Sequence, residues 1–182
     1  YPAVASRSYN DGWYYNDDGY HNKDVWQSDT GLGQGAYATE YFDDRSGSAY
    51  DAQDGPFYGT FHFGSSPAAL AGKTIISAQI YFRRYSDSPG SASAVPIYLY
   101  KSPLTSVPGS GAKSPDGAVT GTGYLIGSLA KNTGAWFTLP NVLAQAVIDG
   151  YCLCIYSGNS NLTRLYGIES ASYKPQIKIT VQ

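Results

Sequence analysis

The sequence predicts an all-β domain, an antiparallel β-sandwich of the jelly-roll type with one short helix at about residues 141–149. Two observations predict this fold class. Short runs of residues alternate between apolar and polar side chains, which is the period of a β-strand with one packed face. Gly, Pro, Ser and Asn cluster between these runs and mark turns, as is typical of sandwiches. We expect one domain over residues 1–182, because this length fits a single core.

The alternating runs identify individual strands. The last run is the clearest, because Ile177, Ile179 and Val181 alternate with polar residues. Such strands have one packed and one wet face, as in antiparallel sheets. Pro96 lacks a backbone N–H, so its strand is predicted to be an edge strand or to contain a bulge. Apolar residues expected to share a face in the other runs are Phe57, Phe61 and Phe63; Ile76, Ala78, Ile80 and Phe82; and Val95, Ile97 and Leu99.

The run 151–156 is apolar throughout and predicts a central strand that is covered on both faces. It contains the two cysteines of the chain, Cys152 and Cys154. Two cysteines that lie two positions apart on one strand have poor geometry for a disulfide. A C-x-C motif alone is also weak evidence for a metal site. We therefore predict two buried thiols, and a chain without disulfides is expected to fold in a reducing cytoplasm.

The helix prediction rests on residues 141–150. Asn141 is a favourable N-cap residue and Gly150 a favourable C′ residue. Between them, Leu143, Ala146 and Val147 have the spacing of one helical face and are expected to point to the core.

Residues 30–56 are rich in Gly and Asp and are predicted to form a long loop or insertion. Long loops in compact domains are often functional. The tyrosines in this segment are therefore predicted either to form a specificity loop or to pack on a neighbouring subunit.

The composition argues against several classes of partner. The net charge is −2 and Lys and Arg are scattered, so no nucleic-acid partner is expected. No apolar run approaches the roughly 20 residues of a membrane span, and no signal peptide is visible. We therefore expect neither membrane insertion nor nucleic-acid binding.

The sequence favours a non-enzymatic domain. Its histidines are His21, predicted in a turn, and His62, predicted on the outward face of a strand. Neither lies in a recognisable catalytic motif, and no G-x-S-x-G or H-E-x-x-H is present. No cofactor is expected, although Asp17, Asp18 and Asp24 are weak candidates for structural calcium. The alternative is that these acidic residues are ordinary turn residues.

The predicted ligand-binding residues are aromatic residues among Asn and Asp. A sugar site needs a ring face for the pyranose and amide or carboxylate groups for its hydroxyls. Alternatively, Trp13 and one neighbouring tyrosine belong to the first strand and its core, and Trp26 and Trp136 are core residues. The predicted ligand-binding residues are Tyr14, Tyr15, Tyr20, His21, Trp26, Tyr37 and Tyr41.

Three arginines, Arg83, Arg84 and Arg164, are predicted to form surface ion pairs. A second interpretation is that an arginine recessed beside Tyr85 or Tyr166 holds an anionic group, since a guanidinium suits that role.

Residues 70–82 read LAGKTIISAQIYF and match the pattern L-x-G-K-T-I-x-S-A-x-I-Y. Further segments follow in order: DVWQ at 24–27, the aromatic run within 55–64, WFTLP at 136–140 and YKPQIKITV at 173–181. Together they resemble a jelly-roll family at the ends of bacteriophage tail-fibre and minor tail proteins of Gram-positive hosts. Related carbohydrate-binding modules occur on secreted bacterial enzymes.

The resemblance implies a non-catalytic recognition domain of a phage tail fibre or tail tip that binds a host surface glycan or teichoic acid. It implies a virion location after assembly in the bacterial cytoplasm, a homotrimer, and contact with other virion tail proteins. Two alternatives stay open. One is a carbohydrate-binding module of a secreted polysaccharide-degrading enzyme, and the other is a structural protein that decorates a capsid or tail.

Overall fold

A computed structural model describes much of the chain and defines its strands and helices. The residues described are 1–10, 13–16, 19–22, 25–27, 32–34, 40–43, 49–52, 58–86, 93–109, 119–156 and 163–182, with backbone alone for 7–10, 13–16, 19–22, 25–27, 33–34, 40–43 and 49–52. A 3-10 helix spans Ser66–Leu70 and the α-helix, α1, spans Asn141–Ile148. The strands are β1 Ala5–Asn10, β2 Trp13–Asn16, β3 Gly19–Asn22, β4 Val25–Gln27, β5 Leu32–Gln34, β6 Glu40–Asp43, β7 Ala49–Ala52, β8 Tyr58–His62, β9 Ile75–Arg83, β10 Val95–Lys101, β11 Thr120–Leu129, β12 Gly134–Thr138, β13 Leu153–Tyr156, β14 Thr163–Leu165 and β15 Gln176–Val181.

Two antiparallel sheets organise the described chain. The large sheet has six strands in the order β11-β10-β13-β8-β1-β4, and the small sheet has three in the order β12-β9-β15. Three strand pairs complete the pattern: β5 with β14, β2 with β3, and β6 with β7. The prediction of an all-β domain with antiparallel sheets and one short helix is confirmed. The jelly-roll type remains a prediction.

The core lies between the inner faces of the two sheets. Phe61 of the large sheet meets Phe82 of the small sheet edge to face, with ring centroids 5.5 Å apart and planes at 87°. Aromatic pairs in this geometry add about 0.5–1.5 kcal/mol beyond their buried area. Further buried residues of this core are Ala78, Ile80, Ile97, Leu99, Leu153, Ile155 and Ile177. The core-facing residues predicted from alternation are therefore mostly confirmed, while Phe57 lies outside the described residues.

Ile76 is an exception to the predicted alternation. Its side chain is 53% exposed, whereas Ala78, Ile80 and Phe82 are buried. The ladder between β9 and β15 shifts register at this point, because Thr180 pairs with Ser77 but Val181 pairs with Ile75. A bulge of this kind interrupts the period of two. Ile75 consequently packs against the core in place of Ile76.

The prediction for Pro96 is confirmed only in part. Its strand, β10, is not an edge strand, since β11 and β13 pair with it on opposite sides. Among the described residues the ladder to β13 begins only at Leu99, so in this part of the chain Pro96 pairs with β11 alone. The ladder with β11 shifts register between Ile97 and Tyr98, which places a bulge beside the proline.

Helix α1 begins one residue earlier than its predicted cap implies. Asn141 is the first helical residue and the N-cap is Pro140, so the prediction that Asn141 is the N-cap is wrong. Proline has no backbone N–H to donate to a preceding helical turn, so a helix does not extend through it towards the N-terminus. Pro140 therefore marks the start of α1. Gly150 follows the C-cap with φ 85°, as predicted for C′. Leu143 and Val147 are buried, as expected.

The predicted loop at 30–56 contains strands, and one of them enters the core. Strand β5 pairs with β14, and β6 pairs with β7, so these parts of the segment are not irregular. Leu32 of β5 is fully buried and belongs to the main core cluster. It packs where Gly59 of β8 has no side chain, since a Cβ there would lie 2.9 Å from the Leu32 Cβ.

Candidate functional site

A row of tyrosines crosses the outward face of the large sheet. Tyr58 on β8, Tyr98 on β10 and Tyr156 on β13 are half-buried, and each alternates with residues that point into the core. We call these three residues the tyrosine row. They lie outside the core because successive side chains of a strand point to opposite faces.

The strand register extends this row in both directions. Tyr156 pairs with Tyr58, Tyr58 pairs with Tyr9 of β1, and Tyr9 pairs with Trp26 of β4. In the other direction Tyr98 pairs with Leu125 of β11. Continuing the β10–β13 register by one residue places Tyr98 next to Tyr156. Every strand of the large sheet therefore contributes an aromatic or apolar residue to one line of backbone positions.

The described rings of the row form a packed group. The rings of Tyr58 and Tyr156 are nearly parallel, with an interplanar angle of 6° and centroids 4.6 Å apart. Tyr100 meets Tyr156 edge-on at 5.7 Å. This packing fixes the rings relative to one another, so a ligand that binds them pays little to order them.

Next to the tyrosine row, the outward face is covered. Cys154 and Thr60 are fully buried, and the Thr60 hydroxyl donates to the Cys154 Sγ at 3.6 Å. Burial raises the pKa of Cys154 to about 12 and also raises that of Tyr100. Leu125, at the β11 end of the row, is 59% exposed. The tyrosine row is therefore bordered by buried residues at Cys154 and Thr60, and it is exposed to solvent at its β11 end.

This arrangement suits an extended ligand with both apolar and hydroxyl surfaces. A tyrosine combines a flat apolar ring with a hydroxyl that both donates and accepts hydrogen bonds. Six strands at a spacing of about 4.8 Å extend over about 24 Å. A linear chain of pyranose rings has this length and this mixture of surfaces.

The structure places four of the predicted ligand-binding residues in one hairpin. Tyr14 of β2 lies opposite His21 of β3, and Tyr15 lies opposite Tyr20. The expectation that Tyr20 and His21 lie in the turn is wrong, because both belong to a paired strand. The first strand is Ala5–Asn10, so Trp13 belongs to the second strand and not to the first.

The other predicted ligand-binding residues lie on separate strands or outside the described residues. Trp26 lies on β4, at the edge of the large sheet, and Tyr41 lies on β6 opposite Asp51. The hairpin of β6 and β7 is next to that of β2 and β3, because β7 adjoins β2. Tyr37 lies outside the described part of the chain, as do the calcium candidates Asp17, Asp18 and Asp24.

His62 joins strand β8 to the end of helix α1. Its Nδ1 accepts a hydrogen bond from the Gly64 N–H at 3.2 Å, so the ring proton lies on Nε2, which donates to the Gly150 carbonyl at 3.1 Å. A cleft of about 220 Å³ adjoins this ring and is also lined by Ser65 and Asp149. Within the described residues neither of these bonds to His62, so a nucleophile–base pair is not assembled.

Arg84 differs from its predicted surface pair. Arg84 is fully buried and donates to the carbonyl oxygens of Ser93 and Leu129, at 3.0 and 3.2 Å. Burial lowers its pKa. Arg164 lies over the ring of Tyr85 at 5.7 Å. The alternation of β9 explains the burial of Arg84, because its position continues the core-facing series of Ala78, Ile80 and Phe82.

Trp136 is not a core residue. It lies half-buried on the outward face of the small sheet, next to Tyr81, with ring centroids 5.5 Å apart. The two thiols, by contrast, are free and buried as predicted. Burial raises the pKa of Cys152 to about 12.

The tyrosine row was not predicted as a site from the sequence. The sequence contains one indication of this site: alternation places Tyr98 on the face opposite to Ile97 and Leu99. It does not show which strands are neighbours, so Tyr58, Tyr98 and Tyr156 cannot be grouped from the sequence. Only the register across the sheet brings them together.

The chain matches no protein-family model and no curated protein. Within the described residues, no three His, Cys, Asp or Glu side chains are grouped as a metal site would require. No helix among those residues is long and apolar enough to cross a membrane.

Proposed function

We propose that the chain is a non-catalytic recognition domain that binds an extended saccharide along the tyrosine row. The register of the large sheet carries this proposal, because it aligns one aromatic or apolar residue from each of the six strands. A line of positions suits a linear polymer better than it suits a compact ligand.

The chemistry of the row supports a saccharide in particular. The stacked rings of Tyr58 and Tyr156 offer apolar surface to a sugar where they do not cover each other, and the Tyr156 hydroxyl can exchange hydrogen bonds with its OH groups. Each such contact is weak. Several aligned contacts on one chain, and several copies of the domain, would raise the overall affinity.

The biological setting follows from the resemblance of residues 70–82 and the other matching segments. We propose that the domain belongs to a phage tail fibre or tail tip and binds a linear saccharide of the host surface. The domain would then label host cells and compete with phage for adsorption.

The test of the saccharide proposal uses the full chain and linear neutral oligosaccharides, cellohexaose and maltohexaose, with a wider glycan array as a survey. We expect at least one linear glycan to bind. Tyr58→Ala and Tyr156→Ala should each weaken that binding about tenfold or more, which is about 1.4 kcal/mol.

Tyr1→Ala is the matched control, because Tyr1 is exposed and its backbone pairs with Ile177 of the small sheet. Tyr58→Phe and Tyr156→Phe keep the rings if the alanine variants fail to fold, and they test the hydroxyls alone. Folded variants of the row that bind every glycan as the wild type does would refute the proposal.

A second candidate function is structural, as a subunit that contacts other virion proteins. Tyr124 and Leu125 favour it, since these large side chains are 38% and 59% exposed on β11. Strand β11 is an edge of the large sheet. Exposed apolar residues on a sheet edge are typical of contacts between chains.

A further inference from the structure

The outward face of the small sheet carries cations interleaved with aromatic rings. The Nζ of Lys178 on β15 lies 3.8 Å from the ring centroid of Trp136 on β12, and Trp136 packs against Tyr81 on β9. Lys178 is exposed and Trp136 is half-buried. This face lies on the opposite side of the sandwich from the tyrosine row.

The pattern continues from Arg83 at the end of β9. The Cζ of Arg83 lies 4.3 Å from the ring centroid of Tyr173, which is 38% exposed. Tyr173 packs against Tyr166 at 5.1 Å, and Tyr166 stacks on Tyr85 at 3.8 Å. We call the residues of this continuous surface the cation–aromatic face. Its members are Tyr81, Arg83, Tyr85, Trp136, Arg164, Tyr166, Tyr173 and Lys178.

The donors of Arg83 and Lys178 are largely unused among the described residues. Within the described residues, Lys178 makes no hydrogen bond or ion pair, and its only contact of this kind is with the ring of Trp136. Arg83 donates one hydrogen bond, from Nη2 to the Asn132 Oδ1 at 2.7 Å, and its Nε is buried without a partner there. A guanidinium has five N–H donors, so three of those of Arg83 remain for a ligand after the buried Nε–H and the bond to Asn132 are set aside.

Glu169, whose carboxylate contacts Tyr85 of this face, is already engaged. Glu169 accepts hydrogen bonds from the Tyr85 hydroxyl at 2.5 Å and from the Gly167 N–H at 2.8 Å. These bonds direct the carboxylate to Tyr85 and the backbone. Desolvation and the hydrogen bond to Glu169 raise the pKa of Tyr85 well above its usual range, so the hydroxyl stays a donor. Among the described residues, Glu169 forms no ion pair with Arg83 or Lys178.

The distribution of charge along the chain agrees with a basic face. Ten of the fourteen Asp and Glu residues lie in residues 1–57, together with only three of the twelve Lys and Arg. Residues 58–182 contain the other nine cations and only four acidic residues. The small sheet is formed entirely from this second, basic part of the chain.

We propose that the cation–aromatic face binds an anionic saccharide, a glycan whose repeating units carry carboxylate or phosphodiester groups. Arg83 and Lys178 would pair with the anionic groups, while Trp136 and Tyr173 contact the sugar rings. The proposal takes the ligand class from the proposed function but concerns a different surface. With both surfaces, the protein would bind a charged glycan at the cation–aromatic face and a neutral glycan at the tyrosine row.

The test measures binding of the full chain to three probes: hyaluronate for carboxylates, poly(glycerol phosphate) for phosphodiesters, and dextran as a neutral polymer. We expect at least one anionic probe to bind tightly at 50 mM NaCl and at least tenfold more weakly at 500 mM. The double variant Arg83→Gln/Lys178→Gln should lose at least tenfold in affinity for that probe at low salt.

Lys73→Gln is the matched control, because Lys73 is exposed and precedes β9 outside the face. Tyr58→Ala should keep the anionic binding, which separates this inference from the tyrosine-row proposal. Equal binding of the double variant and the control, or equal affinity for dextran, would overturn the inference. Binding of single-stranded DNA with no binding of either anionic glycan would overturn it as well.

Discussion

Adding one methyl group at Gly59 should destabilise the domain, because two core side chains fill the space where a Cβ would lie. A Cβ built on Gly59 would be 2.7 Å from the Ile155 Cγ1 and 2.9 Å from the Leu32 Cβ. Ordinary contacts between such carbon atoms are about 3.5–4.0 Å. Both neighbours lie in the closely packed core and cannot move aside without displacing others.

Overpacking of this kind typically costs about 1–3 kcal/mol. For a domain of this size, Gly59→Ala should lower Tm by about 2–4 °C for each kcal/mol. Thermal unfolding followed by circular dichroism, together with urea unfolding, would measure the change. Gly109→Ala is the control, because a Cβ there meets nothing within 4 Å. That control should be neutral or slightly stabilising.

A double variant tests the assigned cause. Ile155→Ala removes the Cγ1 that crowds position 59, although alone it should cost about 2–5 kcal/mol as a large-to-small core change. The loss in Gly59→Ala/Ile155→Ala should therefore be smaller than the sum of the two single losses. Equal stability of Gly59→Ala and Gly109→Ala would refute the prediction that Ile155 and Leu32 crowd position 59, and with it the packing of Leu32 in the core.

Two further predictions concern the thiols and the sheet edge. The pKa values of Cys152 and Cys154 are raised from 9.0 to about 12, so the folded thiols keep protons that the unfolded chain loses. This contribution to stability is complete below pH 9 and is lost between pH 9 and 12, at up to about 1.4 kcal/mol per pH unit for each thiol. Urea unfolding should show a shallower alkaline decline for Cys152→Ala/Cys154→Ala, and equal slopes would contradict it. If Leu125 contacts another subunit, light scattering should find an oligomer that Leu125→Glu converts to monomer, and a monomeric wild type would exclude that contact.

The local features of the fold were predictable because their causes lie within a few residues. The period of two in 177–181 and 95–99 reports which side chains point to the core. The position of helix α1 followed from its apolar spacing and from Gly150, whose positive φ is easily adopted by glycine. The exception at Ile76 shows the limit, since the bulge depends on how β9 pairs with β15.

Strands with few bulky residues were not recognised from the sequence. Strand β11 contains three glycines and several threonine and serine residues, so it has little apolar alternation. Strand β5 has only Leu32 as a large apolar residue. In both cases pairing with a neighbouring strand decides the conformation, and such pairing is not encoded in local propensity.

The candidate surfaces separate what sequence and tertiary structure decide. The sequence by itself determined that the domain is built of antiparallel strands, with tyrosines on faces opposite to its core residues. Only the tertiary structure decided that positions 58, 98 and 156 are neighbours, and that Arg83 lies over Tyr173 while Arg84 is buried. The physical reason is that side-chain direction follows the local backbone, whereas the order of strands in a sheet is set by burial of the whole core.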